Sequence, residues 1–334
     1  WVLGSWYYLR VEGRSWRRED WSEFTNPLGL SVGSSRDVWL VGGHETRHWD
    51  GLNWTQHAPD TVQTQSGVFR VDNTVYSFGA AGTISTWDGQ AWSRAMPLGT
   101  TPEHLGDVWV ESTDRLWVVG DHGTIRHWDG TRWDEHASGT LAPLFAIAGA
   151  GPTDIWAGGE AGTLLHYDGQ RWQAVNSATN LTIRDLWVAS SDHVLAVAGD
   201  FQDGWIQYNA TVLRWDGMSW QTEQTPNVPT LVGVWGSAAN NVWAVGHETI
   251  LHWDGSAWTP SQFPLAGTPV VWGVWGRNDH DVWAVGEGGL IVHWDGNAWT
   301  KQRSPGAVTL RQVIGTSEGI WAVGDDGAIL RHDP

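Results

Sequence analysis

Residues 245–258 read VGHETILHWDGSAW, and residues 285–299 read VGEGGLIVHWDGNAW. Residues 119–133 give VGDHGTIRHWDGTRW, and 3–16 give a diverged copy, LGSWYYLRVEGRSW. In the three better-kept copies an apolar run ends in an Asp-Gly pair, and a tryptophan follows three residues after the glycine. In the diverged copy Glu12-Gly13 stands for Asp-Gly, with Trp16 after it. Glycine accepts the positive φ of a tight hairpin, and an Asp side chain bonds to backbone N–H groups just downstream. The stretch reads as strand, turn, strand.

Working outward, one anchor position recurs at Trp1, Trp39, Tyr76, Trp117, Trp156, Leu195, Trp243, Trp283 and Trp321. The spacing is about forty residues, the period of a blade array. Each unit carries four short apolar runs, A to D. In one copy they are LVGVWG (231–236), NVWAVG (241–246), TILHW (249–253) and a run opening at Trp258. Val, Ile, Leu and Trp dominate, Gly, Asp and Asn punctuate, and no stretch keeps a helical period. Four short strands per repeat is the pattern of a propeller blade. The expectation is an all-β chain: a single β-propeller over 1–334 with four-stranded antiparallel blades and one inserted loop, 199–210. Runs B and C occur nine times and runs A and D eight times. That count predicts nine blades, with an upstream segment supplying the missing strands. Eight is the alternative, in which the first copy forms no blade of its own.

Composition bounds the function. The chain has 334 residues, 29 Trp against 6 Phe and 5 Tyr, and no Cys. A buried indole removes about 150–250 Å² from water, so tryptophan supplies much of the expected core. The missing cysteine excludes disulfides, thiolate nucleophiles and Cys-ligated zinc. A net charge of −18 argues against nucleic acid and anionic membranes, and favours cationic or neutral partners. No apolar run reaches about 18 residues, so no membrane-spanning helix is expected. The chain starts inside a repeat at Trp1. An export signal ahead of it fits an expected location outside the cell or in the cell envelope.

The stretch VWAVGEGGLIVHWDGNAW (282–299) resembles the repeat of photosystem-II-assembly-factor-type propellers. It is similar also to the Asp-box repeats of sialidase-type propellers and to a group of secreted bacterial propellers. The resemblance runs over essentially the whole chain. It implies the propeller fold and, as one possible role, help in assembling a membrane complex.

Candidate chemistry lies in four places. His48, His127, His166, His252 and His293 share one position in run C, where Arg10, Arg214, Arg331 and Thr86 stand in other copies. Metal ligation and hydrogen bonding are both open to His. Arg replaces a donor better than it replaces a ligand, so the expected partner is a carbonyl or carboxylate of a neighbouring blade. The B–C loops bring Asp121, Glu160, Asp200, Glu248, Glu287 and Asp325 to one face as an acidic rim. None has the dense carboxylate spacing of a calcium loop, so no metal or other cofactor is expected. The insertion AGDFQDGWIQYNA (198–210) breaks the repeat and offers Phe201, Asp203, Trp205 and Tyr208 for gripping a sugar or a protein. Motifs for serine, zinc-dependent or phosphate chemistry are missing. The reading is a non-catalytic binding or scaffold propeller for a carbohydrate or protein partner. The alternatives are a glycan-acting enzyme, with Glu160 and Arg171 as a pair to test, and an assembly factor.

Overall fold

The computed structural model describes residues 16–18, 27–34, 36–42, 45–57, 65–71, 74–79, 84–87, 91–94, 104–112, 115–200, 209–262, 269–316, 319–325 and 329–332. These build eight four-stranded antiparallel sheets, and no α-helix occurs among them. In chain order the sheets are blade 1 (27–57), blade 2 (65–94), blade 3 (105–135), blade 4 (144–174), blade 5 (183–222), blade 6 (231–260), blade 7 (271–301) and blade 8 (310–332, with 16–18). In blade 6, strand A is Leu231–Ala238, B is Asn241–Gly246, C is Thr249–Trp253 and D is Trp258–Pro260.

The D strand of blade 8 is Trp16–Arg18, with Trp16 opposite His332 and Arg18 opposite Leu330. The C strand of the last repeat therefore takes its partner from the first repeat, because an open strand edge leaves backbone groups unpaired. The described residues form eight blades, which fits the expected count of eight to nine. Residues 1–15, which the nine-blade count would use, lie outside the described residues.

The chain divides into two compact units: Trp1–Pro97 with Gln262–Pro334, and Leu98–Ser261. In the second, the A strands of blades 3, 4, 5 and 6 pack in succession. In the first, the A strand of blade 1 packs against those of blades 2 and 8, and blade 7 against blade 8.

Strand B is the buried centre of each sheet. Val38, Trp39, Leu40 and Val41 are at most 2% exposed, and covering such a side chain is worth about 1.5–3 kcal/mol. An inner strand is covered on both faces, which explains its unbroken apolar run. The B-strand indole lies under the next blade: Trp39 meets Trp87 with ring centroids 5.1 Å apart, and Trp156 meets Trp215 at 4.9 Å. The C- and D-strand aromatics face each other across the hairpin, as Trp49 with Trp54 at 5.7 Å and Tyr167 with Trp172 at 5.4 Å. The turn between them is built by Asp. The Oδ1 of Asp254 accepts N–H from Ser256 (2.8 Å) and Ala257 (3.0 Å), and Gly255 sits at φ +93°.

Candidate functional site

The recurrent histidines are architectural. His48 stacks on Trp39 at 4.3 Å, His127 on Trp117 at 4.2 Å, His166 on Trp156 at 4.2 Å, His252 on Trp243 at 4.1 Å and His293 on Trp283 at 4.1 Å. In each pair the two residues are cross-strand neighbours, such as Trp39 with His48. In four of the five the outer nitrogen reaches the first residue of strand B. His48, His166 and His293 lie 2.8 Å from Asp37, Asp154 and Asp281, and His252 lies 2.6 Å from Asn241. The partner is thus in the same blade, which corrects the expectation of a neighbouring one. The reason is register: a B–C hairpin carries the histidine back alongside the start of strand B. Burial pushes His48, His127 and His252 below the usual imidazole value, against the nearby Asp50, Asp129 and Asp254. Blade 5 has Leu195 in place of the indole, and there Arg214 pairs with Glu223. Among the described residues no cluster of three or more metal-ligating side chains occurs.

The D–A and B–C connections meet at one end of each blade. The backbone N–H of Asp121 donates to His104 (2.8 Å), Glu160 to Pro143 (3.0 Å), His247 to Thr230 (2.9 Å), Glu287 to Val270 (2.9 Å) and Asp325 to Thr309 (2.8 Å). Each acidic B–C turn is so fixed to the loop that enters its own A strand. Asp121, Glu160 and Glu287 open short 3-10 turns whose second residue is left-handed, at φ 54° for His122, 53° for Ala161 and 64° for Gly288. Glu248 takes that conformation itself, at φ 55°, and lies 3.6 Å from His247. Glu160 is exposed, and Asp121, Glu248 and Glu287 are half-buried. Phe201, Asp203, Trp205 and Tyr208 lie outside the described residues.

Sequence reading missed what stands beside these turns. Every A strand has a bulge after its first residue, so that one extra residue faces the partner strand. Bulges re-aim a side chain away from the ladder. The extra residues are Leu28, Ser66, Gly106, Phe145, Arg184, Val232, Trp272 and Arg311. In two places an aromatic and an arginine fall on successive blades. The Arg184 guanidinium lies over the Phe145 ring at 5.7 Å, and that of Arg311 over the Trp272 ring at 4.6 Å.

Each step is flanked by two turn carboxylates, one from each blade. At blades 4 and 5, Arg184 donates from Nε to the Gly199 carbonyl at 3.0 Å, with Asp200 and Glu160 near enough to act on its charge. Asp200 in turn accepts N–H from Thr182 at 3.1 Å. At blades 7 and 8, Arg311 grips Asp325 with two bonds of 2.9 and 3.0 Å. Glu287 acts on it from the preceding blade, and accepts N–H from Val270 at 3.1 Å. The electrostatics differ in sign. Burial lowers Arg184 despite both acids, whereas the hydrogen bonds that Arg311 donates to Asp325 raise Arg311. Phe145 is 37% exposed and Leu141, on the loop before it, 81%. The arrangement offers a planar apolar face beside carboxylates. A signal existed in the sequence: the second residue of run A varies widely from copy to copy.

Below the bulge, blades 3 and 5 carry a further device. Asp107 accepts N–H from Val108 (2.8 Å) and from Ile147 of the next blade (2.9 Å). Asp185 does the same with Leu186 (2.8 Å) and Val234 (2.9 Å). Both residues keep some accessible surface, yet desolvation of the carboxylates dominates. It pushes Asp107 up to about 7 and Asp185 up to about 6, against their hydrogen bonds.

No protein-family model matches the sequence, and no curated protein does. Solved structures do match along nearly the whole length. YCF48 bound to a D1 peptide is 14% identical, with a TM-score of 0.61 over 98% of this chain and 97% of that one. A computationally designed protein, Ika8, gives 16% and 0.75 over 93% and 96%. A catalytically inactive virginiamycin B lyase from Staphylococcus aureus with quinupristin gives 13% and 0.66 over 96% and 100%. Likeness at this level of identity establishes the fold: the chain is a β-propeller of four-stranded antiparallel blades.

Proposed function

We propose that this propeller is a non-catalytic binding scaffold, and that its partner is a protein segment with basic and apolar side chains. The observation that carries the reading is the repetition of one three-part step. Phe145, Glu160 and Arg184 hold the same blade positions as Trp272, Glu287 and Arg311, and a second turn carboxylate, Asp200 or Asp325, acts on each arginine. An aromatic face accepts an apolar side chain, the turn carboxylates accept cationic donors, and the net charge of −18 draws a basic chain toward them. Asp121 and Glu248 extend the acidic character at other blades. A backbone tied by the D–A to B–C bonds presents these groups with little ordering cost. The likeness to a propeller seen with a bound peptide supports a protein partner over a carbohydrate. The histidine–aspartate pairs, which elsewhere suggest catalysis, recur with one geometry in three blades and stack on core tryptophans, so they support architecture instead.

Binding to an array of basic, neutral and acidic peptides tests this, beside a glycan array. Basic peptides with apolar residues bind, and added salt weakens them. The double variant Phe145→Ala, Trp272→Ala weakens binding about tenfold or more, with unchanged circular dichroism. Glycan binding lost in that variant, with peptides silent, would transfer the site to carbohydrate. Unaltered peptide binding by the double variant removes the proposal.

A further inference from the structure

The opposite end of blade 7 holds a cleft of about 450 Å³ whose lining includes Arg277, Asp281, Trp283, His293, Gln302 and His332. Its origin is visible in the repeat. Trp39 packs under Trp87 of the next blade, Trp117 under Tyr167 at 4.8 Å, and Trp156 under Trp215. At blades 7 and 8 the residue in that place is His332, 4.9 Å from Trp283. A second ring is lost as well. His57 packs on Trp39 at 5.5 Å and His136 on Trp117 at 4.8 Å, where blade 7 carries Gln302. The cleft is therefore the room left where the smaller imidazole of His332 stands for an indole or phenol and Gln302 for a second ring.

The groups around this space are held in place. Asp281 accepts from Trp283 Nε1 at 2.7 Å, lies 2.8 Å from His293 Nε2, and pairs with Arg277 at 2.8 Å. Burial works to raise its carboxyl, but those hydrogen bonds and the Arg277 charge hold it below the usual range. The equivalent Asp–His pairs in blades 1 and 4 stack on Trp39 and Trp156, which face an indole of the next blade. Arg277 brings a planar fork of five donors to the rim, suited to a carboxylate.

We infer that the cleft between blades 7 and 8 binds a small planar aromatic carboxylate, its ring beside His332 in the room the smaller imidazole leaves and its anionic group at Arg277. The volume lies in the range of small-molecule pockets. This site is independent of the peptide-binding reading, which uses the other end of the blades.

Indole-3-acetate and indole, titrated into the full chain and followed by ligand-observed NMR, test the inference. Indole-3-acetate binds saturably and more tightly than indole. His332→Trp, which restores the ring of the other blades, abolishes binding and raises thermal stability. Arg277→Gln weakens indole-3-acetate about tenfold, the loss of one charge-assisted contact, and leaves indole unchanged. Gln302→His, the residue at positions 57 and 136, narrows the same space and weakens binding, so the test survives if His332→Trp fails to fold. Absence of saturable binding to the wild-type chain overturns the inference. So does wild-type affinity in both cleft-filling variants, or equal affinity for indole and indole-3-acetate.

Discussion

The two ends of each blade follow different rules. At the C–D end the same turn is built again and again. Asp50, Asp129, Asp168, Asp216, Asp254 and Asp295 each accept the N–H groups two and three residues on, at 2.7–3.0 Å. These bonds hold the carboxyls below their usual range; the Thr131 hydroxyl takes Asp129 to about 2, and that of Ser256 takes Asp254 to about 2. At the D–A and B–C end the bulge is constant but its extra residue is not. Leu, Ser, Gly, Phe, Arg, Val, Trp and Arg occupy it in turn. Positions that the hairpin or the core constrains are repeated, and positions that only the solvent side constrains are left to vary. Recognition is therefore sought where the scaffold is uniform and the side chain is not.

The sharpest break of that contrast is a pair of aromatic truncations. Trp156→Ala removes an indole that is 1% exposed and lowers stability by about 3–5 kcal/mol, read by urea denaturation. Phe145→Ala, eleven residues earlier at a bulge, changes stability by no more than about 0.5 kcal/mol. Equal losses would remove the distinction between the two kinds of position.

The turn comes next. Gly255→Ala places a Cβ at φ +93°, 2.9 Å from the Asn240 Cβ. It costs about 1–3 kcal/mol of backbone strain, whereas Gly139→Ala, at φ +75° but with nothing within 4 Å, costs less. The same denaturation series ranks the two.

Asp107→Ala leaves the Val108 and Ile147 N–H groups without their acceptor, a loss of about 1–3 kcal/mol. The loss depends on pH. The folded carboxyl, near 7, lies above its ordinary 3.8, so the folded state holds the proton more tightly. Its stabilising contribution is full below 3.8 and declines as pH rises toward 7. The penalty of the substitution shrinks along the same interval, and a penalty that grows with pH would contradict the desolvation argument.

The smallest effect belongs to the stacked histidines. Their folded values lie below 6.5 for His48, His127 and His252. Their contribution is present above 6.5 and fades as pH falls through the folded values. His252→Gln flattens that acid limb of the stability curve.

Much of this was legible in residues. The Asp-Gly pair with its following Trp located six C–D turns among the described residues, because a hairpin turn is a local requirement. Strand B was legible as an unbroken apolar run, because both its faces are covered. The histidine position was visible, but its partner was not. Asp37 and His48 stand eleven residues apart, and only antiparallel register makes them neighbours. The bulge residues were hidden for a related reason: counting apolar runs cannot reveal one residue left over in a ladder. Glu160 and Glu287 read as rim carboxylates, yet the arginine and aromatic beside each come from positions that read as ordinary strand.

Order along the chain thus determined the period, the strands and the turns, since each depends on contacts a few residues away. The tertiary structure alone decided that Trp16–Arg18 completes blade 8, that Arg184 lies over Phe145 and Arg311 over Trp272, and that His332 leaves a cleft beside Trp283. Those contacts join different repeats, and near-identical repeats do not encode in their own letters which of them will meet.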